Sequence, residues 1–342
     1  MLEIWDPEAG SENDVWVGDM MAGEKDGVMT LRLTAIHYGA HEMNIYELRH
    51  PEGKPLAPFT AGSHVDVHLL DAMVRQYSLM NDPAEQHRYL LGIKLDRQGR
   101  GGSAHIHGKL RVGDLIRIGA PRNNFALEEG GAPVILIGGG IGITPMIAMA
   151  HRARTIGLDL QFHQVVRTRE DLLNLDQWLA GAGAIADIHI DAEQGGRLFD
   201  LRAVFQRAPS GAHVYCCGPA PMLDAFTRAA EDFGWPANQV HIEHFSAAPI
   251  APSDKAFDLL LAKSGRSFCV QKGETIVEVL REAGIDVEVS CEQGICGACE
   301  TRIVSGIADH KDMILSDAEK AAGQTMMICC SGALSDTLIL DL

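Results

Sequence analysis

The sequence predicts a multidomain chain: an antiparallel β-barrel, then an α/β unit with a doubly wound parallel sheet, then a small α+β unit. Three observations carry this reading. At 342 residues the chain exceeds the size at which one hydrophobic core keeps growing. Its texture then changes twice, from short alternating apolar runs to alternating strands and helices, and again beyond a stretch of small residues and prolines. Finally, four of its eight cysteines fall in one patterned set near the C-terminus. The expected division is an acidic extension at 1–26, the barrel at 27–126, the α/β unit at 127–246, a linker at 247–255 and the last unit at 256–342.

Composition narrows the function classes. With 46% hydrophobic and 22% charged residues, each unit has enough apolar material to fold without help. A formal charge of -17, from 29 basic and 46 acidic residues, argues against a nucleic-acid surface. The N-terminus carries seven acidic side chains before its first basic one, Lys25, so it is not expected to be a signal peptide. The uncharged stretch 130–150 is broken by Gly138, Gly139, Gly140, Gly142 and Pro145, which argues against a membrane span. A cytoplasmic location is therefore expected, and with it reduced thiols that ligate metal rather than pair as disulfides.

Read in order, the runs at 29–33, 63–69 and 90–94 are short, alternating and punctuated by Gly, Pro and Asn or Asp, as barrel strands are. Arg75-Gln76-Tyr77-Ser78 falls on a further strand, and 99–103 reads as a loop. From Pro133 a buried strand meets glycines and a helix opens near Pro145; strands are expected again at 160–166, 185–190, 213–216 and 239–242. Alternation of this kind implies a parallel sheet covered on both faces. In the last unit 257–262 and 267–271 flank Lys263-Ser264-Gly265-Arg266 as a hairpin, and a helix over 274–283 stops at Gly284.

The cysteine set carries the sharpest chemistry. Cys291, Cys296 and Cys299, followed by Cys329, give the spacing C-x4-C-x2-C and a distant fourth, that of plant-type [2Fe-2S] proteins. Each iron takes two protein sulfurs, so four thiolates are needed, and Gly294 and Gly297 let the loop bend round the cluster. A structural zinc site, the alternative, more often shows paired C-x2-C knuckles. Cys329 and Cys330 are expected in a strand over 326–330, where alternation lets only one of them reach iron. Cys269 reads as a small buried hydrophobe.

A one-electron cluster cannot take a hydride from a nicotinamide, so an intermediary that holds two electrons and releases them singly is required; flavin is that intermediary. Arg75 is a candidate partner for its phosphate, and the glycines Gly101 and Gly102 with Ser103 supply amides for the same group. Gly138-Gly139-Gly140-Ile141-Gly142-Ile143-Thr144-Pro145 follows a strand and opens a helix, which aims amides at a pyrophosphate, although it is not G-x-G-x-x-G. Where the second parallel strand ends stand Arg167, Thr168 and Arg169 rather than an acid, which points to NADPH. Cys217-Gly218-Pro219 ends another strand at the same edge. The fifteen histidines are scattered and read as surface or packing residues rather than ligands.

Taken together, R-x-Y-S, the Gly-Gly-Ser loop, G-G-G-I-G-I-T-P, C-C-G-P and the cluster loop make residues 27–342 resemble the phthalate dioxygenase reductase family. The resemblance implies the order FMN barrel, NAD domain, β-grasp ferredoxin, and electron supply to a Rieske-type oxygenase or demethylase as protein partner. It also implies Arg75 and the 101–103 loop on the FMN phosphate, Tyr77 against the isoalloxazine and Ser78 near its N5. Thr144 and Cys217 are implied beside the nicotinamide, Glu243 and Phe245 at the flavin edge, and Cys329 as the fourth ligand. The donor implied is NADH, against the arginine signal for NADPH. A stand-alone NAD(P)H oxidase or redox sensor, and a non-catalytic electron-transfer module, are the alternative classes; an absorption spectrum separates them.

Overall fold

The computed structural model describes residues 27–69, 73–179, 186–245 and 253–342. The acidic extension expected at 1–26 and most of the expected linker lie outside the described residues.

The first sheet is antiparallel and six-stranded. Its strands are β1 (Val28–Ala40), β2 (Met43–Arg49), β3 (His64–His68), β4 (Val74–Ser78), β5 (Tyr89–Lys94) and β6 (Leu115–Gly119). They lie in the order β4-β3-β6-β1-β2-β5. Just past the edge strand β4, Leu79 forms an isolated bridge with Leu91 of the other edge strand, β5. Alternation places Leu31, Leu33, Val65, Val67, Leu91 and Ile93 inside, all nearly inaccessible. The segment 99–103 is a loop only as far as Gly101: helix α1 (Gly102–Lys109) begins there, where a loop was expected. Gly101 takes φ 80°, and this left-handed turn starts a helix whose residues carry little helical preference.

The second sheet is wholly parallel, from β7 (Val134–Gly139), β8 (Leu160–Val166), β9 (Asp187–Ile190), β10 (His213–Cys217) and β11 (Val240–Glu243) in the order β11-β10-β7-β8-β9. Helix α2 (Ile143–Thr155) covers one face, where Met146, Ile147 and Met149 share a core with Met43, Ile45, Leu90 and Phe125 of the first unit. The short helix α3 (Leu175–Trp178) joins this face. Helices α4 (Leu201–Arg207) and α5 (Ala220–Asp232) cover the other through Phe205, Leu223 and Phe226. The order reverses at β7, so the carboxyl ends of β7 and β10 flank the crevice where such sheets bind ligands. No described helix is long and apolar enough to cross a membrane.

The third unit pairs β12 (Phe257–Leu261) and β13 (Ser267–Val270) as the expected hairpin. Helix α6 (Ile276–Glu282) is closed by a capping box between Thr275 and Glu278, and Gly284 follows at φ 71°. Strands β14 (Glu300–Ser305), β15 (Ala308–Asp309), β16 (Thr325–Met327), β17 (Gly332–Ala333) and β18 (Thr337–Leu340) and helix α7 (Asp317–Ala322) complete it, with sheet order β13-β12-β18-β14-β16 and β12 parallel to β18. Two readings need correction. Cys269 is exposed rather than buried, because Val270 takes the inward position of β13. Cys329 and Cys330 stand in a turn, not a strand: the chain folds back after Met327, whose carbonyl accepts from the Cys330 and Ser331 amides.

Candidate functional site

The three units meet around one cavity of 630 Å³. Arg75, Tyr77, Ser78, Gly102 and Ser103 line it from the first unit, Thr144, Glu243 and Phe245 from the second, and Cys291 from the third. The Arg75 end of the cavity is built by contact. A Cβ on Gly102 would meet Arg75 Cγ at 2.5 Å and Nε at 2.7 Å, so only glycine lets the arginine stem cross the start of α1. The Arg75 guanidinium donates to the Val74 and Arg100 carbonyls at 2.7 and 2.8 Å and stays beside the amides of α1. The Ser103 hydroxyl accepts from the Asp96 amide at 2.9 Å, which ties the helix start to the end of β5.

At the other end Thr144 donates to the Ile141 carbonyl at 3.0 Å, and its methyl reaches the first sheet through Gly92, where a Cβ would meet it at 2.5 Å. Glu243 ends β11 half-buried, with its carboxyl turned inward; desolvation pushes that carboxyl up to about 8, partly offset by a bond from the Ser78 hydroxyl. Burial, then the charge of Arg122, lowers His64 to about 4. Glu243 Oε2 and His64 Nε2 are both buried without a hydrogen-bond partner, and both residues line the cavity. Two orphaned polar atoms in one cavity whose wall mixes charged, polar and apolar side chains fit a heteroaromatic group with polar edges, as a flavin ring is.

Other expected residues are not in the cavity wall. Gly101, Gly138, Gly139, Gly140, Gly142, Pro145, Cys217, Gly218 and Pro219 lie outside it. Gly142 instead lets the turn close on β10, since a Cβ there would meet the Cys217 carbonyl oxygen at 2.2 Å; Gly140 supplies φ 56°. The Cys217 thiol is fully buried, and burial, then Glu243, raises its pKa. Sequence reading missed Gly92, Lys94, Asn124, His244, Gln293 and Met313, all in the wall. Of these only Gly92, a glycine inside a strand, carried a local signal of close approach.

Beyond Cys291 the other expected ligands Cys296, Cys299 and Cys329 are buried, from 2% to 6% exposed. The thiols meet in a chain, Cys296 with Cys291, Cys291 with Cys329 and Cys329 with Cys299, and Cys330 also reaches Cys329. Among the described residues no three His, Cys, Asp or Glu side chains converge as ligands of one ion. Four buried thiols gathered at one place are what a two-iron cluster asks, and its charge would let four thiolates coexist where crowding and burial now raise Cys296 and Cys299. Amides of Gln293 and Ala298 donate to Cys291 Sγ and Cys296 Sγ at 3.2 and 3.5 Å, with Gly294 and Gly297 at φ 67° and 76°. The donor set therefore fits a [2Fe-2S] cluster.

One cavity bordered by all three units, the carboxyl edge of a parallel sheet and a loop whose four thiols fit a [2Fe-2S] cluster define an iron–sulfur flavoprotein oxidoreductase. Residues 30–127 match the family model described as oxidoreductase FAD-binding domain and residues 260–334 that of the 2Fe-2S iron-sulfur cluster binding domain. The phenoxybenzoate dioxygenase subunit beta of Ectopseudomonas oleovorans is 44% identical over 94% of this chain and all of its own length. The solved phthalate dioxygenase reductase, described as a modular structure for electron transfer from pyridine nucleotides to [2Fe-2S], is 38% identical with a TM-score of 0.69, covering 93% of this chain and 98% of that one. A type IV self-sufficient cytochrome P450 monooxygenase overlays with TM-score 0.85 at 36% identity, over 99% of this chain, which spans 45% of that longer one. The chain belongs to the phthalate dioxygenase reductase family.

Proposed function

We propose that this chain is the reductase component of a Rieske-type oxygenase or demethylase, taking a hydride from NADH onto FMN and sending single electrons through its [2Fe-2S] cluster to the oxygenase. The observation that carries it is the single cavity where the Arg75 to Ser78 strand, Thr144, Glu243, Phe245 and Cys291 converge. In this reading the domains are the FMN barrel at 27–126, the NAD domain at 127–246 and the ferredoxin at 256–342, after an extension at 1–26 and with a linker at 247–255.

When bound, the flavin supplies a ring that accepts a hydride and gives up electrons one at a time, and the cluster a one-electron relay. The chain's residues position these groups. Arg75 and the start of α1, with Gly101, Gly102 and Ser103, hold the phosphate; Tyr77 lies against the ring and Ser78 near its N5. Thr144 and Cys217, the turn glycines Gly138, Gly139, Gly140 and Gly142, and Pro145, Gly218 and Pro219 shape the nicotinamide side, with Glu243 and Phe245 at the flavin edge. Cys291, Cys296, Cys299 and Cys329 bind iron. Arg100 lines the same cavity and ties it to the cluster loop, bonding to the Cys291 carbonyl at 2.9 Å and to Gln293 Oε1 at 3.2 Å. The protein works in the cytoplasm without membrane or nucleic acid. The likeness to part of a P450 monooxygenase makes a P450 the second acceptor class to assay.

Mixing the purified protein with NADH without oxygen is expected to bleach the flavin bands first and the cluster bands second, and the released flavin is expected to have the mass of FMN. Release of FAD, or zinc in place of iron and acid-labile sulfide, would overturn the corresponding assignment.

A further inference from the structure

The cysteine loop is held to the first unit by side chains whose partners lie far away in sequence. Asp66 on β3 is central. Its Oδ1 accepts from the Ser290 hydroxyl at 2.7 Å, from Arg122 at 3.0 Å and from Gln76 at 3.2 Å, and its Oδ2 from Arg122 at 2.7 Å. Gln76 faces Asp66 across the β3–β4 ladder and also donates to Ser290 Oγ at 3.1 Å. Burial opposes ionisation of Asp66, but the bonds from Arg122, Ser290 and Gln76 outweigh it and hold the carboxyl below its usual range. Ser290 is the residue before Cys291. A second hold acts on the loop's other arm, where Asn124 Nδ2 donates to the Cys296 carbonyl at 2.8 Å. Both arms of the loop are thus gripped from the unit that forms the floor of the cavity.

We propose that Asp66, Ser290 and Asn124 are positioning residues for the transfer of electrons from the flavin cavity to the cysteine loop. Electron transfer falls steeply with distance, and none of the three is needed to donate a proton or ligate iron. They fix the separation and orientation of the loop relative to the cavity. The net reaction is unchanged: NADH and two oxidised one-electron acceptors give NAD+, one proton released to solvent and two reduced acceptors. Only the step between the two centres depends on these contacts.

The test uses the whole chain with its cofactors and the variant Ser290→Ala, which leaves Asp66 paired with Arg122 and Gln76 and alters no residue of the cavity wall. The expected result is faster hydrogen–deuterium exchange of residues 290–299, with iron, sulfide and flavin contents and the cluster's EPR spectrum unchanged. In anaerobic single turnover the flavin phase is expected to stay as in wild type while the cluster phase slows roughly tenfold, the equilibrium weight of one hydrogen bond. Ser290→Thr, which keeps the hydroxyl, is expected to restore exchange and rate. Unchanged loop exchange with an unchanged cluster phase overturns the proposal. Loss of cluster during purification also overturns it, since the residues would then serve cluster assembly rather than transfer.

Discussion

Glu193 grips the guanidinium of Arg169 through two bonds, at 2.6 and 2.7 Å, beside the carboxyl end of β8. Sequence alone presents Arg169 as a charge open to a ribose 2′-phosphate. The pairing neutralises it and adds a carboxylate that repels a phosphate at the same place. Glu193→Gln is therefore expected to raise kcat/KM for NADPH by about fivefold, the scale of one exposed charge interaction, and to change NADH little. Steady-state kinetics with both nucleotides measure it. A gain with NADPH only in Arg169→Ala would place the discrimination elsewhere.

Gly102 is expected to matter through Arg75. A methyl group there meets the arginine stem at 2.5 Å, so Gly102→Ala displaces the guanidinium from the start of α1 while leaving the sheet intact. Flavin dissociation should rise by about tenfold or more, as for loss of a charge-assisted bond to phosphate. Fluorescence of released flavin under dilution measures this, and circular dichroism should match wild type.

What was legible in the sequence was whatever depends on near neighbours. Alternation exposed Val65 and Val67 as one face of a strand, and the spacing of Cys291, Cys296 and Cys299 needed no tertiary information. Helix α1 was missed because its start, Gly101-Gly102-Ser103, has loop composition and its helicity comes from packing Ile106 into the core. The turn at Cys329 was read as strand because Met326 to Cys330 is one apolar run, and only a fold-back to the Met327 carbonyl distinguishes the two. The hold of Asp66 on Ser290 spans 224 positions, and no local pattern announces it. The same holds for Glu193 and Arg169, 24 positions apart on different strand ends.

Glu243 gives a pH signature. Its folded pKa, about 8, lies above the usual 4.5, so the folded state binds the extra proton between those values and stability falls as pH rises through that window. Glu243→Gln removes the titration and keeps the shape. The variant should unfold at the same temperature as wild type below pH 4.5 and at progressively higher relative temperature up to pH 8, beyond which the difference stays constant. Thermal melts from pH 4 to 9 test this; a difference independent of pH would mean that the carboxyl does not enter the cavity protonated.

The two adjacent cysteines of the turn divide the last assignment. Cys329 contacts the Cys291 and Cys299 thiols, whereas Cys330 touches only Cys329 of the set and reaches the Met327 carbonyl and the Ser331 hydroxyl, 3.5 and 3.6 Å away. Cys330 also packs on Gly294, where a Cβ would stand 2.7 Å from its sulfur, so it braces the loop rather than closing the set. Replacing Cys329 by Ser puts a harder, less polarizable oxygen where a thiolate is needed, and the cluster bands, EPR signal and labile sulfide should be lost or become unstable. Reduction of an external one-electron acceptor through the cluster should fail with them. Hydride transfer from NADH to flavin should continue, because the cavity walls around Ser78 and Thr144 do not depend on that turn. Cys330→Ala should keep iron, sulfide and spectrum, at the cost of a small packing defect of about 1 kcal/mol against Gly294. Retention of the cluster in Cys329→Ser together with its loss in Cys330→Ala would reverse the roles of the two thiols.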